Sequence, residues 1–349
     1  MNSAQPTLFP LALHPTTRQV ADRVRSGGVA ALTEAERRAD EARYQEVTCR
    51  SALNRVEGMP FRWTLNPYRG CTHGCHYCFA RRYHTQFELG AGDEFASVIL
   101  VKTNLVAVLR RELDRASWQR ELVALGTATD PYQPIEGHYR LTRGALAALA
   151  DARTPTGLVT KGPMVVRDVD ILQELSRRAA VSVYVSVPSV DEDAWRRLEP
   201  GTAHPLQRLR AVRTLVDAGI RAGVLMAPIV PGITSGRDQL AATVKAVADH
   251  GARFVGANLL YLKGGTRTHF LDFLAREYPE LSETYEEWFA GGAAYLPDGL
   301  RNQVRATVRD LRERAGLTAR DEEHESGAAA APEGQAAGQE QPAFQWRAD

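Results

Sequence analysis

This sequence contains little cysteine, no long apolar run and almost no net charge, and each of these absences excludes a class of protein. Its 349 residues include only four cysteines, too few for the disulfide framework of a small secreted domain. No apolar run approaches the roughly 18 residues that a membrane-spanning helix needs. Residues 1–13 lack the positive start and apolar centre of a signal peptide. We therefore expect a cytoplasmic protein with no membrane partner.

The net charge of +1 gives the whole molecule no field that would attract nucleic acid, although a local basic groove remains compatible with it. Hydrophobic residues make up 44% of the chain, so it can bury a sizeable core. The sequence predicts three parts. Residues 1–50 form an N-terminal extension that is partly helical or disordered, residues 55–318 form the folded core with C-terminal helices, and residues 319–349 form a disordered tail rich in Ala, Gly, Gln and Glu.

Between the two ends, apolar strand-like runs alternate with helical patterns. The predicted strands are 61–65, 97–101, 122–125, 157–160, 181–187, 221–226 and 253–260. The predicted helices are 105–113, 141–150, 168–179, 205–218 and 238–250. This alternation of β-branched strands and helices predicts an α/β fold with a parallel sheet. Six or seven such units favour an open or closed barrel, although a doubly wound sheet remains compatible with the pattern.

Polar clusters follow several of these strands. They are 66–78, 102–104, 126–136, 160–161, Ser186 and Asn258. In barrel enzymes the chemistry lies in the loops after the carboxyl ends of the strands. The sequence therefore predicts a barrel with a functional site at that end.

Three of the four cysteines, Cys71, Cys75 and Cys78, form a C-x3-C-x2-C loop. Three thiolates can bind three irons of a [4Fe–4S] cluster and leave the fourth iron open to a small molecule. An open position likewise distinguishes catalytic zinc sites from closed structural ones. The alternatives are a zinc site completed by His73 or His76, and a set of buried or redox-active thiols. The spacing favours the cluster, because zinc sites usually pair two cysteine knuckles and the sequence has no second one.

The remaining candidates each have a functional and a structural interpretation. Cys49 could be a fourth ligand, a hydrogen donor or a buried small residue, and burial is the commonest state of a free cysteine. The ring of Tyr77 could lie against a flat ligand or simply pack in the loop. Lys161 could direct its charge at a carboxylate in the barrel mouth or be solvated, and Ser186 is equally ambiguous.

Two polar segments further along the chain also have two interpretations. The loop 126–136, which contains Thr129, could bind amino and ribose groups or be an ordinary turn. The segment 198–202 is typical of a helix end followed by a turn. The arginines around it could bind phosphate, but a solvated helical face is the more usual arrangement; they are Arg196, Arg197, Arg208 and Arg210.

With these residues in place, the chain resembles the radical S-adenosylmethionine (radical SAM) superfamily, whose hallmark is this cysteine loop with an aromatic residue before the last cysteine. More closely, it resembles the spore photoproduct lyase-like branch. The resemblance covers about residues 62–263 and is carried, beyond the cysteines, by 66–70, 126–136, 160–161, Ser186, 198–202 with Arg208, and 226–229.

The resemblance implies a partial (β/α)6 TIM-type barrel with a [4Fe–4S] cluster after the first strand. SAM would bind the open iron, and an electron from a low-potential donor such as ferredoxin or flavodoxin would cleave it to a 5′-deoxyadenosyl radical that abstracts hydrogen from an unknown substrate. By position, Cys71, Cys75 and Cys78 would bind the cluster and Tyr77 would meet the adenine of SAM. Three further residues would contact SAM, namely Thr129, Lys161 and Ser186.

One position departs from the pattern of that branch. In spore photoproduct lyase a hydrogen-donating cysteine precedes the loop that corresponds to 128–130, whereas this chain has Thr127 there. A threonine hydroxyl is a poor hydrogen-atom donor. The sequence therefore predicts a radical SAM enzyme of unknown substrate, with repair of a nucleic-acid lesion and a non-catalytic zinc-binding module as the alternatives.

Overall fold

The structure, a computed structural model, describes residues 34–84, 92 and 94–319. Its strands are β1 (Arg43–Val47), β2 (Leu53–Arg55), β3 (Trp63–Leu65), β4 (Tyr68–Arg69), β5 (Val98–Lys102), β6 (Val123–Leu125), β7 (Thr156–Thr160), β8 (Val181–Ser186), β9 (Ala222–Ile229), β10 (Phe254–Leu259) and β11 (Thr318–Ala319). Its α-helices are α1 (Glu34–Glu41), α2 (Arg81–His84), α3 (Glu94–Ser97), α4 (Leu105–Leu113), α5 (Glu136–Tyr139), α6 (Leu141–Asp151), α7 (Val169–Arg178), α8 (Glu192–Leu198), α9 (Pro205–Asp217), α10 (Arg237–Asp249), α11 (Gly265–Glu277), α12 (Ser282–Trp288) and α13 (Asp298–Arg314).

Six parallel strands form the central sheet in the order β3, β6, β7, β8, β9 and β10. β2 pairs antiparallel with β3 at one edge, and β11 pairs with β10 at the other. Neighbours along the chain are thus neighbours in the sheet, as in a barrel, and helices connect them. The predicted partial (β/α)6 barrel is confirmed.

The central strands are buried on both faces, which explains their uninterrupted apolar runs. All six residues of β8 and all three of β6 are buried. The covering helices contribute one apolar stripe each; in α7 the buried residues are Leu172 and Leu175. Strands buried on both faces are typical of parallel sheets covered by crossover helices. The main core therefore lies between the sheet and these helices.

The predicted strand at 97–101 does form, but it is not part of the barrel. It is β5, which pairs with β1 and β4 in a separate three-stranded sheet. The expectation that it is a barrel unit was wrong, because an apolar run indicates a buried strand without indicating its partner. This small sheet has a direct role at the site, since β4 leads into the cysteine loop.

The predicted helical C-terminal region is confirmed as α11, α12 and α13. Its aromatic residues, among them Phe270, Phe273 and Tyr285, form a second core together with Cys75 and Tyr77. No helix in the described ranges is long and apolar enough to cross a bilayer. Residues 320–349 of the predicted tail 319–349 and the first 33 residues of the predicted extension lie outside the described residues.

Candidate active site

The sequence candidates follow successive strands of the barrel. The cysteine loop comes after β3 and β4, the loop 126–136 follows β6, Lys161 follows β7 and Ser186 ends β8. Because these strands are parallel and adjacent, their carboxyl ends meet at one edge of the sheet. The fold thus brings separate sequence segments to the barrel mouth.

The cysteine loop begins at a glycine that no other residue could easily replace. Gly70 has φ +80°, and a Cβ there would lie 2.4 Å from the carbonyl oxygen of Val98. The next residue, Cys71, donates its backbone N–H to Phe95 O at 2.9 Å. Cys71 and Cys75 are buried and Cys78 is half-buried. The loop is therefore held tightly against β5 and α3.

Arg81 fixes the loop from inside, and the sequence analysis did not identify it. Its buried guanidinium donates to the carbonyl oxygens of Cys75 at 3.0 Å and Gly74 at 2.7 Å. A third bond reaches Gly92 O at 2.7 Å. Five donors in a rigid fork suit one arginine to several carbonyls at once. No local pattern indicates this role, because an arginine after a metal loop is usually taken as solvated.

The loop 126–136 is attached to the cysteine loop through side chains. Gln133 donates to Gly70 O at 3.2 Å and accepts from the N–H of Thr72 at 3.2 Å. The hydroxyl of Thr129 donates to Tyr68 O at 2.9 Å. Thr129, which was predicted to contact SAM, is thus buried where it supports the cysteine loop. Its hydroxyl hydrogen is already donated to Tyr68 O.

Asp130 links this loop to the end of β7. Its carboxylate accepts from the Thr160 hydroxyl at 2.7 Å and from the backbone N–H of Lys161 at 2.6 Å. His73 Nδ1 lies 3.4 Å away. Burial alone would raise the pKa of Asp130, but His73 and these hydrogen bonds outweigh it and lower the pKa to about 2. The carboxylate stays ionised and fixes the backbone from which Lys161 projects.

Three of the four predicted SAM contacts lie together. Lys161 Nζ donates to the Ser186 hydroxyl at 2.9 Å and lies 5.6 Å from the centre of the Tyr77 ring. The same ammonium lies 3.7 Å from Glu199 Oε1. Lysine, hydroxyl and ring thus form one polar surface beside Cys75, whose side chain packs in the same core as Tyr77.

Beneath this surface lies a buried ion pair between Glu199 and Arg208. Arg208 Nη2 lies 2.6 Å from Glu199 Oε2, and Arg208 Nη1 donates to Ser186 O at 3.0 Å. The Tyr77 hydroxyl donates to the other oxygen of Glu199. Burial opposes the charge on Glu199, but Arg208 and Lys161 outweigh it and hold its pKa below the usual value. Burial and the Glu199 carboxylate raise the pKa of Tyr77 well above its usual value, so the phenol remains a donor.

The expectation of a solvated arginine face is wrong for one of its four members. Arg196, Arg197 and Arg210 are exposed, whereas Arg208 is 0% exposed. Its carboxylate partner stands nine residues earlier, across the turn between α8 and α9. Charge spacing along a single helix does not detect a pair of this kind. The segment 198–202 is therefore part of the site and not merely a helix end.

Both histidines of the cysteine loop have other partners. His76 stacks on Phe273 with ring centres 4.1 Å apart, and its Nδ1 lies 3.0 Å from His269 Nε2. Burial and His269 lower the pKa of His76 to about 3. His73 faces Asp130, as described above. The zinc alternative would need one of these two rings as a metal ligand, and neither contact contributes to such a site.

The fourth cysteine, Cys49, lies outside the cysteine loop. It is half-buried before β2 and packs against the main core. The side chain of Asn104 accepts from its N–H at 2.8 Å and donates to its carbonyl at 2.9 Å. Burial raises the pKa of the Cys49 thiol. These contacts agree with the interpretation of Cys49 as a packed residue.

The donor set fits an iron–sulfur cluster. Burial raises the pKa of Cys71 well above its usual value and that of Cys75 to about 12. A thiol in such surroundings becomes a thiolate when a metal cation replaces its proton. No three His, Cys, Asp or Glu side chains in the described ranges are arranged around a single metal ion. A cluster does not require that arrangement, since each cysteine binds a different iron.

Gly201 brings the segment 198–202 into contact with the cysteine loop. Its N–H donates to His73 O at 3.0 Å, and a Cβ there would lie 2.2 Å from Thr72 O. The three atoms nearest the added carbon, Thr72 O, His73 O and His73 C, all belong to the backbone, so they cannot move without shifting the loop.

We expect Gly201→Ala to lower the free energy of unfolding by about 1–3 kcal/mol, the usual cost of overpacking. Urea denaturation measures it. The matched control is Gly299→Ala in α13, where a Cβ meets nothing within 4 Å; it should change stability by less than about 1 kcal/mol. Equal stability of the two variants would contradict the close contact at Gly201.

The mouth of this open barrel of six parallel strands thus carries three cysteines and a lysine. Residues 65–247 match the radical SAM superfamily. An uncharacterised protein of Mycobacterium tuberculosis is 42% identical over 275 residues, which is 78% of this chain and 81% of that protein. The chain therefore belongs to the radical SAM superfamily.

Within the superfamily, its fold is that of the spore photoproduct lyase-like branch. A spore photoproduct lyase variant, solved with bound SAM and dinucleoside spore photoproduct, has a TM-score of 0.61 at 16% identity, covering 81% of this chain and 83% of that one. A radical SAM isomerase of Pseudomonas phage M6 is 25% identical over 175 residues, 49% of this chain and 34% of the phage protein. At such identities the likeness to the lyase concerns the fold.

Proposed function

We propose that this protein is a radical SAM enzyme that holds a [4Fe–4S] cluster on Cys71, Cys75 and Cys78. When bound, the cluster and SAM supply reductive cleavage of the sulfonium to a 5′-deoxyadenosyl radical, which abstracts hydrogen from a substrate still to be identified. A low-potential protein such as ferredoxin or flavodoxin would supply the electron.

The observation that carries this proposal is the polar surface beside Cys75. Lys161 presents an ammonium suited to the carboxylate of SAM, and Ser186 presents a hydroxyl 2.9 Å from that ammonium. The Tyr77 ring would lie against the adenine, and its hydroxyl is held by Glu199. Because Glu199 and Arg208 fix both Tyr77 and Ser186, the surface is positioned before any ligand arrives.

The direct test is metal and sulfide analysis of the anaerobically purified, full-length protein. We expect about four irons and four sulfides per chain, the content of one [4Fe–4S] cluster. About one zinc and no sulfide would contradict the proposal and favour the zinc-binding alternative. With dithionite as reductant, the iron-loaded protein should convert SAM to 5′-deoxyadenosine.

The repair alternative depends on a basic, salt-sensitive surface for nucleic acid. What supports it is the likeness in fold to spore photoproduct lyase, and what opposes it is Thr127 in place of the donor cysteine. Titration of a DNA duplex at low and high salt separates the two: salt-dependent affinity would support repair, and no binding at low salt would count against it.

A further inference from the structure

The barrel is open along one seam, and the segment after its last strand crosses that seam. β2 and β11 are the edges of the described sheet, so the first and last barrel strands, β3 and β10, do not pair with each other. The chain continues from β10 into α11, and this segment contacts the cysteine loop. Thr266 donates its hydroxyl to Cys78 O at 3.1 Å, and Arg82 donates to the Tyr261 hydroxyl at 3.3 Å. The start of α11 is thus attached to the loop that carries the three thiols.

The ring of His76, which stands between Cys75 and Cys78, is held by two residues of α11. Phe273 stacks on it with ring centres 4.1 Å apart and planes 14° from parallel. His269 lies against it as well, with ring centres 5.2 Å apart and its Nε2 3.0 Å from His76 Nδ1. A hydrogen bond between two ring nitrogens needs one N–H and one bare nitrogen, so it fixes the orientation of both rings.

The backbone of His76 is held separately from its ring. Its N–H donates to Leu198 O at 3.0 Å, at the end of α8. Phe273 is 2% exposed and belongs to the same core as Cys75, so α11 also places an apolar ring in the core around that thiol. With its backbone held by α8 and its ring by α11, the residue next to Cys75 has little freedom to move.

We infer that His269 and Phe273 are positioning residues for the cluster. Acting through the His76 ring, they hold the stretch from Cys75 to Cys78 in place and limit the access of water to it. Their role toward the cluster rests on the proposed function, whereas their contacts with His76 do not.

Positioning of this kind has two measurable consequences. Removing a partner that orients a metal ligand typically lowers metal affinity by about 10–100-fold. Solvent exposure also affects the reduction potential of an iron–sulfur cluster. Because the reduced state carries one more negative charge, water that reaches the cluster stabilises that state and raises the potential. A looser cysteine loop should therefore release iron faster and raise the potential of the cluster that remains.

Release of iron to a chelator, from the full-length protein loaded anaerobically with its cluster, tests the role of His269. His269→Ala removes the hydrogen-bond partner of His76, and Asp272→Ala at an exposed position of α11 is its matched control. We expect His269→Ala to release iron about tenfold faster than wild type, and the control to stay within about twofold of wild type. His269→Gln keeps a side-chain amide that can bond to the His76 nitrogen, so it should recover most of the lost retention.

The same measurement tests Phe273. Phe273→Leu removes the stacked ring, and Phe270→Leu is its matched control. Phe270 is 0% exposed in the same core and has the rings of Phe273 and Tyr285 as neighbours. We expect Phe273→Leu to release iron about tenfold faster than Phe270→Leu. A redox titration should show a raised potential for Phe273→Leu and His269→Ala, and the wild-type potential for the two controls.

The outcomes separate a positioning role from simple packing. If either variant releases iron within about twofold of its control, that residue does not position the loop and the inference is overturned for it. Thermal melting of the metal-free proteins checks folding, because Phe273→Leu and Phe270→Leu remove the same volume from one core and should melt alike. If they do not, the comparison of His269→Ala with Asp272→Ala decides. A wild type that binds no iron and sulfide contradicts the proposed function. A wild type that binds the cluster but releases iron no more slowly than both variants contradicts only this inference.

Discussion

Replacement of Cys75 by alanine is expected to abolish the release of 5′-deoxyadenosine from SAM, whereas replacement of Cys49 is expected to preserve it. Cys75 lies in the loop that Arg81 holds through the carbonyls of Cys75 and Gly74. Without its thiolate, one of the three irons on the loop has no protein ligand, and the cluster should be lost or inactive. Cys49 is packed against the main core, outside the loop.

The measurement is 5′-deoxyadenosine formed by the anaerobic proteins in the presence of dithionite, together with iron bound per chain. Cys49→Ala is a matched control because it makes the same substitution, cysteine to alanine, in the same chain and leaves the three-cysteine loop intact. We expect activity within about twofold of wild type for this control and none above background for Cys75→Ala. If the two variants behave alike, the assignment of the cluster to the cysteine loop is wrong.

The second large effect is expected at the buried ion pair. Glu199→Gln removes the charge that faces Arg208, which is 0% exposed. Removing one partner of a buried pair leaves the other charge uncompensated and typically costs about 3–5 kcal/mol. We expect the free energy of unfolding to fall by about that amount. Tyr77 and Lys161 also lose a charged partner, so the affinity for SAM should fall with it.

A matched control lies at the first residue of α8, seven residues before Glu199. Glu192→Gln is the same substitution in an exposed ion pair with Arg196, where a cost below about 1 kcal/mol is expected. Urea denaturation of both variants gives the comparison. A third variant, Glu199→Leu with Arg208→Met, removes both charges and should recover much of the lost stability. If Glu199→Gln is no less stable than Glu192→Gln, the pair is not a structural element of the site.

Local sequence patterns were sufficient for the barrel elements. The predicted helix 105–113 coincides with α4, and the predicted strand 181–187 differs from β8 by one residue. Burial on both faces produces a continuous apolar run, and a helix with one buried face produces a 3.6-residue period, so both signals are local. The strand 97–101 was also found, but not its sheet, because pairing between distant strands has no local signal.

The residues of the candidate site likewise divide into those that local sequence patterns indicate and those that they do not. The sequence spacing indicates Cys71, Cys75 and Cys78. The positions at strand ends indicate Lys161 and Ser186. Arg81 was missed, and Arg208 was expected to be solvated. Each acts through a partner that its own sequence neighbourhood does not indicate: backbone carbonyls for Arg81, and a carboxylate across a turn for Arg208.

The sequence by itself determined the family, the order of strands and helices, and the three thiols, because all of these depend on residue type and short spacing. Only the tertiary structure decided which charges are buried together. Glu199 meets Arg208 beneath Tyr77, because segments far apart in the chain converge at the barrel mouth. Burial changes the energy of a charge far more than its sequence neighbours do. The electrostatics of this site therefore depend on the tertiary fold.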